Sequence, residues 1–443
     1  MLCRGADRAG WGSLRRGCGF PAALLMACAV AAIPRDVHGQ FGGGGFGFQQ
    51  PVGGISIDAD GVIGTVDATL LDESVRAMRA AVAKTQLPAG ADGIRTVSLA
   101  GIMAAVKEAA DSRSPIPVDV ALLGGLERIT HVVVVPEERD ILLVGPADLP
   151  VVDATGTPVG KRSGRPLLRL EDLVVALRSA DQSRAGGIVC SIDPTPRGLA
   201  SLQEFLAGQK TMGRNPAAVF RGMEEALGPQ TVTVGGVPGD SRFAHVLVGA
   251  DYAMKRIGMG HEPSGIKELP SYLSLVRPGG RASKLPRFWL EAEYDPLARD
   301  ADELTWQIRG RRITCLSAGG PAAGDGIRLG VGPPDESLDA WCQAMTQHYD
   351  RLTARHPVFA ELVNCVDLAV VAALIRGRQL DARAGLDLRG LTDDRLLALP
   401  RYEVAKSVPT VANGIKKGSN WVLSASGGVL LRPWQFAGST LRG

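Results

Sequence analysis

The chain reads as an α+β protein, with an irregular α/β arrangement as the alternative. Three observations carry this. Short β-branched runs such as Ile129 to Val135 alternate with stretches of helical apolar spacing such as Leu170 to Leu177. The two kinds of segment are mixed without a regular βαβ rhythm. The composition, 45% hydrophobic and 21% charged over 443 residues, supplies a real core and excludes global disorder.

In chain order, Arg4, Arg8, Arg15 and Arg16 precede an apolar run, Phe20 to Ile33, and Val37-His38-Gly39 follows it. Basic start, short apolar core and small residues before a cut define a secretory signal over residues 1–39, cleaved after Gly39. The run is shorter than the roughly 20 residues a membrane anchor needs. A lipoprotein box ending at Cys28 is the variant reading; the apolar run continues past it. The twin arginines lack the bulky apolar residues that usually follow. Residues 40–54 hold the tract FGGGGFGF, Phe41 to Phe48, and form a flexible leader. Roughly 400 residues then remain, enough for two domains or one large one.

The organisation expected beyond the leader is an N-terminal α+β region over 55–181, a central α/β region over 186–330, and a helical hairpin plus β-hairpin over 331–443. Ile55 to Val62 is a hairpin turning at Asp60-Gly61. Leu70 to Lys84 is helical. Ile129 to Val135 and Ile141 to Val144 flank the polar turn Glu137 to Asp140, a second hairpin. Val151 to Gly160 is a further turn between short strands. Leu170, Leu173, Val174 and Leu177 mark one helical face. Ile188 to Ile192 is a buried-type strand, after which Thr195 caps a helix opened by Pro196. Asn215-Pro216 repeats that device. Thr231 to Val234 and Phe243 to Val248 are expected as strands, and Ala250 to Ile257 as a short helix. Phe288 to Tyr294 and Leu304 to Ile308 alternate as half-buried strands do. Leu338 to Leu352 and Phe359 to Ile375 form an αα-hairpin turning near His356-Pro357. Trp421 to Leu431 is expected to be a β-hairpin about Gly427-Gly428.

Few residues suggest chemistry. The net charge of +3 and the absence of clustered basic residues exclude a nucleic-acid partner. After the signal, Cys190, Cys315, Cys342 and Cys365 remain, an even set that permits two disulfides or, equally, four small buried hydrophobes. No cysteine or histidine spacing fits a metal, and no cofactor is indicated. Thr155 to Ser163 lacks the first glycine of a phosphate loop. Ser264 to Lys267 matches S-x-x-K, but its companion elements are missing. His245 shares a face with Phe243 and Leu247 and reads as a packed core histidine.

The densest polar cluster is Asp251 to Arg256 followed by Gly258 to Glu262. Asp251 and Lys255 are one helical turn apart and can pair. With His261 they form the candidate catalytic set, because a buried Lys–Asp pair beside an imidazole can run acid–base chemistry. Tyr252, Arg256, Glu262 and Arg309 are the candidate binding residues. The last belongs to Arg309-Gly310-Arg311-Arg312, which could hold a carboxylate.

The phrases LLGGLERITHVVVVPEERDILLVGPAD, GRPLLRLEDLVVALR, CSIDPTPRGL and ADYAMKRIGMG together resemble a family of secreted planctomycete proteins known only as a domain of unknown function. The resemblance implies an exported bacterial protein and brings no catalytic residues. The first functional expectation is therefore a non-enzymatic periplasmic or envelope-associated module with an envelope or protein partner and no membrane anchor after cleavage. The alternative is a periplasmic hydrolase using Asp251, Lys255 and His261.

Overall fold

Asp58 closes the first hairpin. Its Oδ1 accepts from the amides of Asp60 and Val62 at 3.0 and 2.9 Å, so β1 (Ile55–Ile57) turns back onto β2 (Ile63–Thr65). The computed structural model describes residues 52–65, 68–83, 93–209, 216–276, 286–318, 335–411 and 426–442. The segments expected to be the signal and most of the glycine leader lie outside them. After β2 come α1 (Ala68–Ala83), β3 (Gly93–Ser98) and α2 (Leu99–Asp111). The β-branched run forms β4 (His131–Val135), which pairs antiparallel with β5 (Asp140–Ala147) as expected. Arg139 completes that turn in the left-handed region at φ 53°. β6 (Pro150–Val152) and β7 (Pro158–Gly160) make the next hairpin, held by Asp153 rather than shaped as a phosphate loop.

α3 (Leu170–Ser179) leads to β8 (Ile188–Asp193). Thr195 caps α4 (Pro196–Gly208) by accepting from the Gly198 amide at 2.9 Å. α5 (Pro216–Leu227) and β9 (Gln230–Gly235) follow; Asn215 itself lies outside the described residues.

The next segment departs from expectation. Phe243 to Val248 is not a strand, and Ala250 to Ile257 is not a separate helix: both belong to α6 (Arg242–Gly258). Ser241 starts it, its hydroxyl accepting from the Ala244 amide. The misreading has a physical cause. Arg242 to Asp251 are buried on every side, so the run lacks the polar stripe that marks a surface helix.

β10 (Arg287–Glu293), β11 (Leu297–Arg299), β12 (Thr305–Gln307) and β13 (Arg312–Ser317) come next. β10 is covered on both faces from Phe288 to Ala292, more than its alternation suggested. The helical pair is α7 (Glu336–Gln347), with a short turn Tyr349–Thr353, and α8 (Pro357–Arg378). His356 is the N-cap residue of α8 and Pro357 occupies its first turn. β14 (Ser407–Val408), β15 (Ser426–Leu431) and β16 (Thr440–Arg442) complete the strands.

Gly427 and Gly428 lie inside β15, not at a turn; Trp421 to Ala425 fall outside the described residues. The reason is spatial. A Cβ on Gly428 would sit 1.8 Å from the Cys190 carbonyl oxygen of the neighbouring strand, so glycine here answers close backbone approach.

Two six-stranded sheets result. One has the order β13-β10-β15-β8-β9-β14 and the other β16-β11-β12-β4-β5-β3. Each is antiparallel except for one parallel pair, β10 with β15 and β11 with β16. The architecture is α+β. α8 runs through the core: Val358 to Ile375 are all buried. It is long and apolar enough to cross a bilayer, yet its apolar window is 94% buried within the fold. It packs on α3, on α6 and on the short helix Pro433–Gly438. At roughly 25 cal/mol per Å² of apolar surface removed from water, this helix is a leading source of stability.

Candidate functional site

The site is assembled on α6. Its middle turn lies over β8, and the spacing of four brings Asp251 and Lys255 to the same face. Lys255 Nζ donates to Asp251 Oδ2 at 3.0 Å and to the Ile192 carbonyl at 2.6 Å. Asp251 is fully buried and Lys255 is 8% exposed. Asp251 Oδ1 has no hydrogen-bond partner among the described residues. Burial pushes the Asp251 carboxyl up to about 7, against the pull of the Lys255 ammonium; the charge of Asp193 adds to the rise. Cys190, on the adjacent strand, has its thiol pushed well up, chiefly by burial.

The pair could exchange a proton; Asp251 has no contact with solvent and Lys255 only a little. His261 turns elsewhere. It makes no hydrogen bond to the pair among the described residues, and burial followed by the Arg256 charge lowers its affinity for a proton, with the Val411 backbone pulling the other way.

Tyr252, Arg256 and Glu262 do come together. The Arg256 guanidinium lies 5.5 Å from the Tyr252 ring centre and its Nε is 3.2 Å from Glu262 Oε2. Glu262 Oε1 faces His356 Nδ1 at 3.2 Å. His356 lies 94 positions further along the chain, read in the sequence only as part of a turn. The His356 hydrogen bond, foremost, holds the Glu262 carboxyl below its usual range. Arg309 is exposed and joins none of these groups; its neighbour Arg312 is the buried one. Arg312 Nε donates to Asp367 Oδ1 at 2.9 Å, and Tyr294 donates to the same oxygen at 2.6 Å.

A larger charge network sits at the opposite end of α6. Arg242 donates to Asp172 and to Glu361, and Glu171 lies 3.8 Å away. Tyr402 donates to Glu171 at 3.1 Å. All four charged groups are buried. Burial raises the Asp172 carboxyl to about 6, while Arg242 works against the rise. One turn on, His245 is a core histidine as expected, on a helix and not a strand. Its Nε2 is 2.6 Å from the Glu403 carbonyl and its ring meets Tyr402 edge-on. None of Arg242, Asp172, Glu361 and Asp367 stood out in the sequence. The signal that could have found two of them is the spacing Glu361, Asn364, Asp367 inside an otherwise apolar helix. Polar groups buried at that period need partners.

Ser264 of the S-x-x-K phrase is a structural hydroxyl. It donates to the Ile266 and Leu269 carbonyls at 3.0 and 2.6 Å, while Lys267 is exposed. All four described cysteines are free buried thiols. Among the described residues no group of three or more His, Cys, Asp or Glu is placed to hold a metal ion.

No curated protein and no solved structure matches the chain. A family model described as a protein of unknown function (DUF1598) matches residues 190–272. The matched stretch runs from β8 through all of α6 to the loop beyond it. Over the part that carries Asp251, Lys255, Arg256 and Glu262, the chain is therefore similar to an uncharacterised domain-of-unknown-function family.

Proposed function

We propose that this is an exported bacterial protein acting as a non-enzymatic binding or structural module of the periplasm or envelope. The signal pattern over residues 1–39 supports export. The observation that carries the non-enzymatic reading is the seat of Lys255, a largely buried ammonium that donates to a fully buried carboxylate and to a backbone carbonyl. A general acid or base must reach its substrate, and this pair faces the underside of the helix. Its role in this reading is to fasten α6 to the end of β8. The resemblance to secreted planctomycete proteins points the same way.

The test has two arms on the full chain expressed in a bacterium. Mass spectrometry of the exported product should find an N-terminus at Gln40. Thermal shifts of that product against muropeptides, oligosaccharides and short peptides should reveal a stabilising ligand without turnover. Hydrolysis of ester, glycoside or phosphate probes that Lys255→Met abolishes in a still-folded protein would overturn the reading in favour of the hydrolase. Retention in the cytosol with an intact N-terminus would overturn the export half.

A further inference from the structure

His356 stands between two groups that can only accept. Its Nδ1 is 3.2 Å from Glu262 Oε1 and its Nε2 is 3.2 Å from the Ser264 carbonyl oxygen. A neutral imidazole has one N–H and one lone pair, so it can satisfy one of these oxygens and must turn a lone pair on the other. Only the doubly protonated ring fits both. We propose that His356 and Glu262 form a proton-operated latch that pins the loop 261–264, at the end of α6, against the start of α8.

The surroundings suit a latch. The imidazole is 14% exposed and Glu262 35%, so protons reach the pair while water does not swamp it. The loop's backbone is already gathered at one point, because the Arg256 carbonyl accepts from both the His261 and Glu262 amides at 2.8 and 3.2 Å. Beyond Ser264 the chain is tied to itself by the Ser264 hydroxyl. The part between depends on its side chains.

The groups facing the ring are few. Glu262 and the Ser264 carbonyl approach from the loop. Arg256 approaches from α6 through its own bond to Glu262. From α8 comes the Phe359 ring, edge-on with ring centres 6.0 Å apart. Arg355, the preceding residue, lies along Gly265. Arg351 and Glu268 pair with each other at 3.0 Å.

Closing the latch on a neutral ring takes up one proton. By linkage, falling pH therefore favours the closed state until Glu262 itself is protonated. Because His356 first holds the Glu262 carboxyl below its usual range, the closed state survives into mild acid.

Two measurements on the full chain test this. Nitrogen-15 NMR of the His356 ring should show both nitrogens protonated in the latched protein, and Glu262→Gln should return one of them to the unprotonated form. Amide exchange of His261, Glu262 and Ser264 should slow roughly tenfold between about pH 8 and pH 6 after correction for intrinsic rates, the scale expected of one partly buried charge-assisted pair. His356→Gln and Glu262→Gln should each abolish that pH dependence. The milder Glu262→Gln keeps an acceptor in place should the histidine variant fold poorly. A ring with one bare nitrogen at about pH 6, where the latch should be closed, or equal pH dependence in wild type and Glu262→Gln, would overturn the latch.

Discussion

Lys255 donates to Asp251 and to the Ile192 carbonyl with almost no solvent around it, so removing it exposes what the pair does. Lys255→Met leaves the Asp251 carboxylate buried without a counter-charge, which costs about 3–5 kcal/mol. Asp251→Leu combined with Lys255→Met removes both charges and should recover at least about 2 kcal/mol of that loss, read by urea denaturation. The sign of the pH effect follows from Asp251. Its folded carboxyl titrates near 7 instead of 3.8, so the folded state holds the proton more firmly. This group's contribution is fullest below about pH 4 and falls as pH rises through about 7. Asp251→Asn should flatten the melting temperature over that window. The pairing itself was legible, since four residues on a helix stack two side chains. That the pair would be sealed was not, because burial depends on β8, some 60 positions away. His261 failed to join for a related reason: it follows the end of α6, where helical spacing no longer predicts direction.

Secondary-structure elements obey the same division between local and distant causes. Hairpins with polar turns, such as β4–β5, and helices with Thr or Pro at the start, such as α4, were readable because their determinants lie within a few residues. α6 and β15 were misread because their determinants come from elsewhere in the fold. A helix buried on all sides carries no polar stripe, so Phe243 to Val248 has the look of a strand. Its cap was present in Ser241, and Ser241→Ala should cost about 1 kcal/mol in a thermal melt. The glycine pair in β15 suggested a turn, yet Gly428 answers the Cys190 carbonyl beside it. Gly428→Ala should therefore destabilise by about 2–3 kcal/mol, because the clash is with backbone that cannot rotate away. The same change at Gly186, where nothing lies within 4 Å, meets no such clash.

At the scale of the whole molecule, α3, α6 and α8 are joined by ions as well as by oil. Arg242→Met takes the directly bonded arginine from Asp172 and Glu361 and leaves Glu171 with Arg169 at 3.9 Å, and the expected result is loss of soluble folded protein on expression. All four described thiols are buried, and burial raises those of Cys190, Cys342 and Cys365. A colorimetric thiol reagent should therefore label these four thiols no faster than the protein unfolds. The position of β15 has a consequence in time. It is later in sequence than every other strand of its sheet, yet it lies between β10 and β8. A nascent chain that has made β8, β9, β10 and β13 still holds two half-sheets with a vacant slot between them. The sheet closes only when residue 431 has left the ribosome, so its two halves are joined at the very end of synthesis.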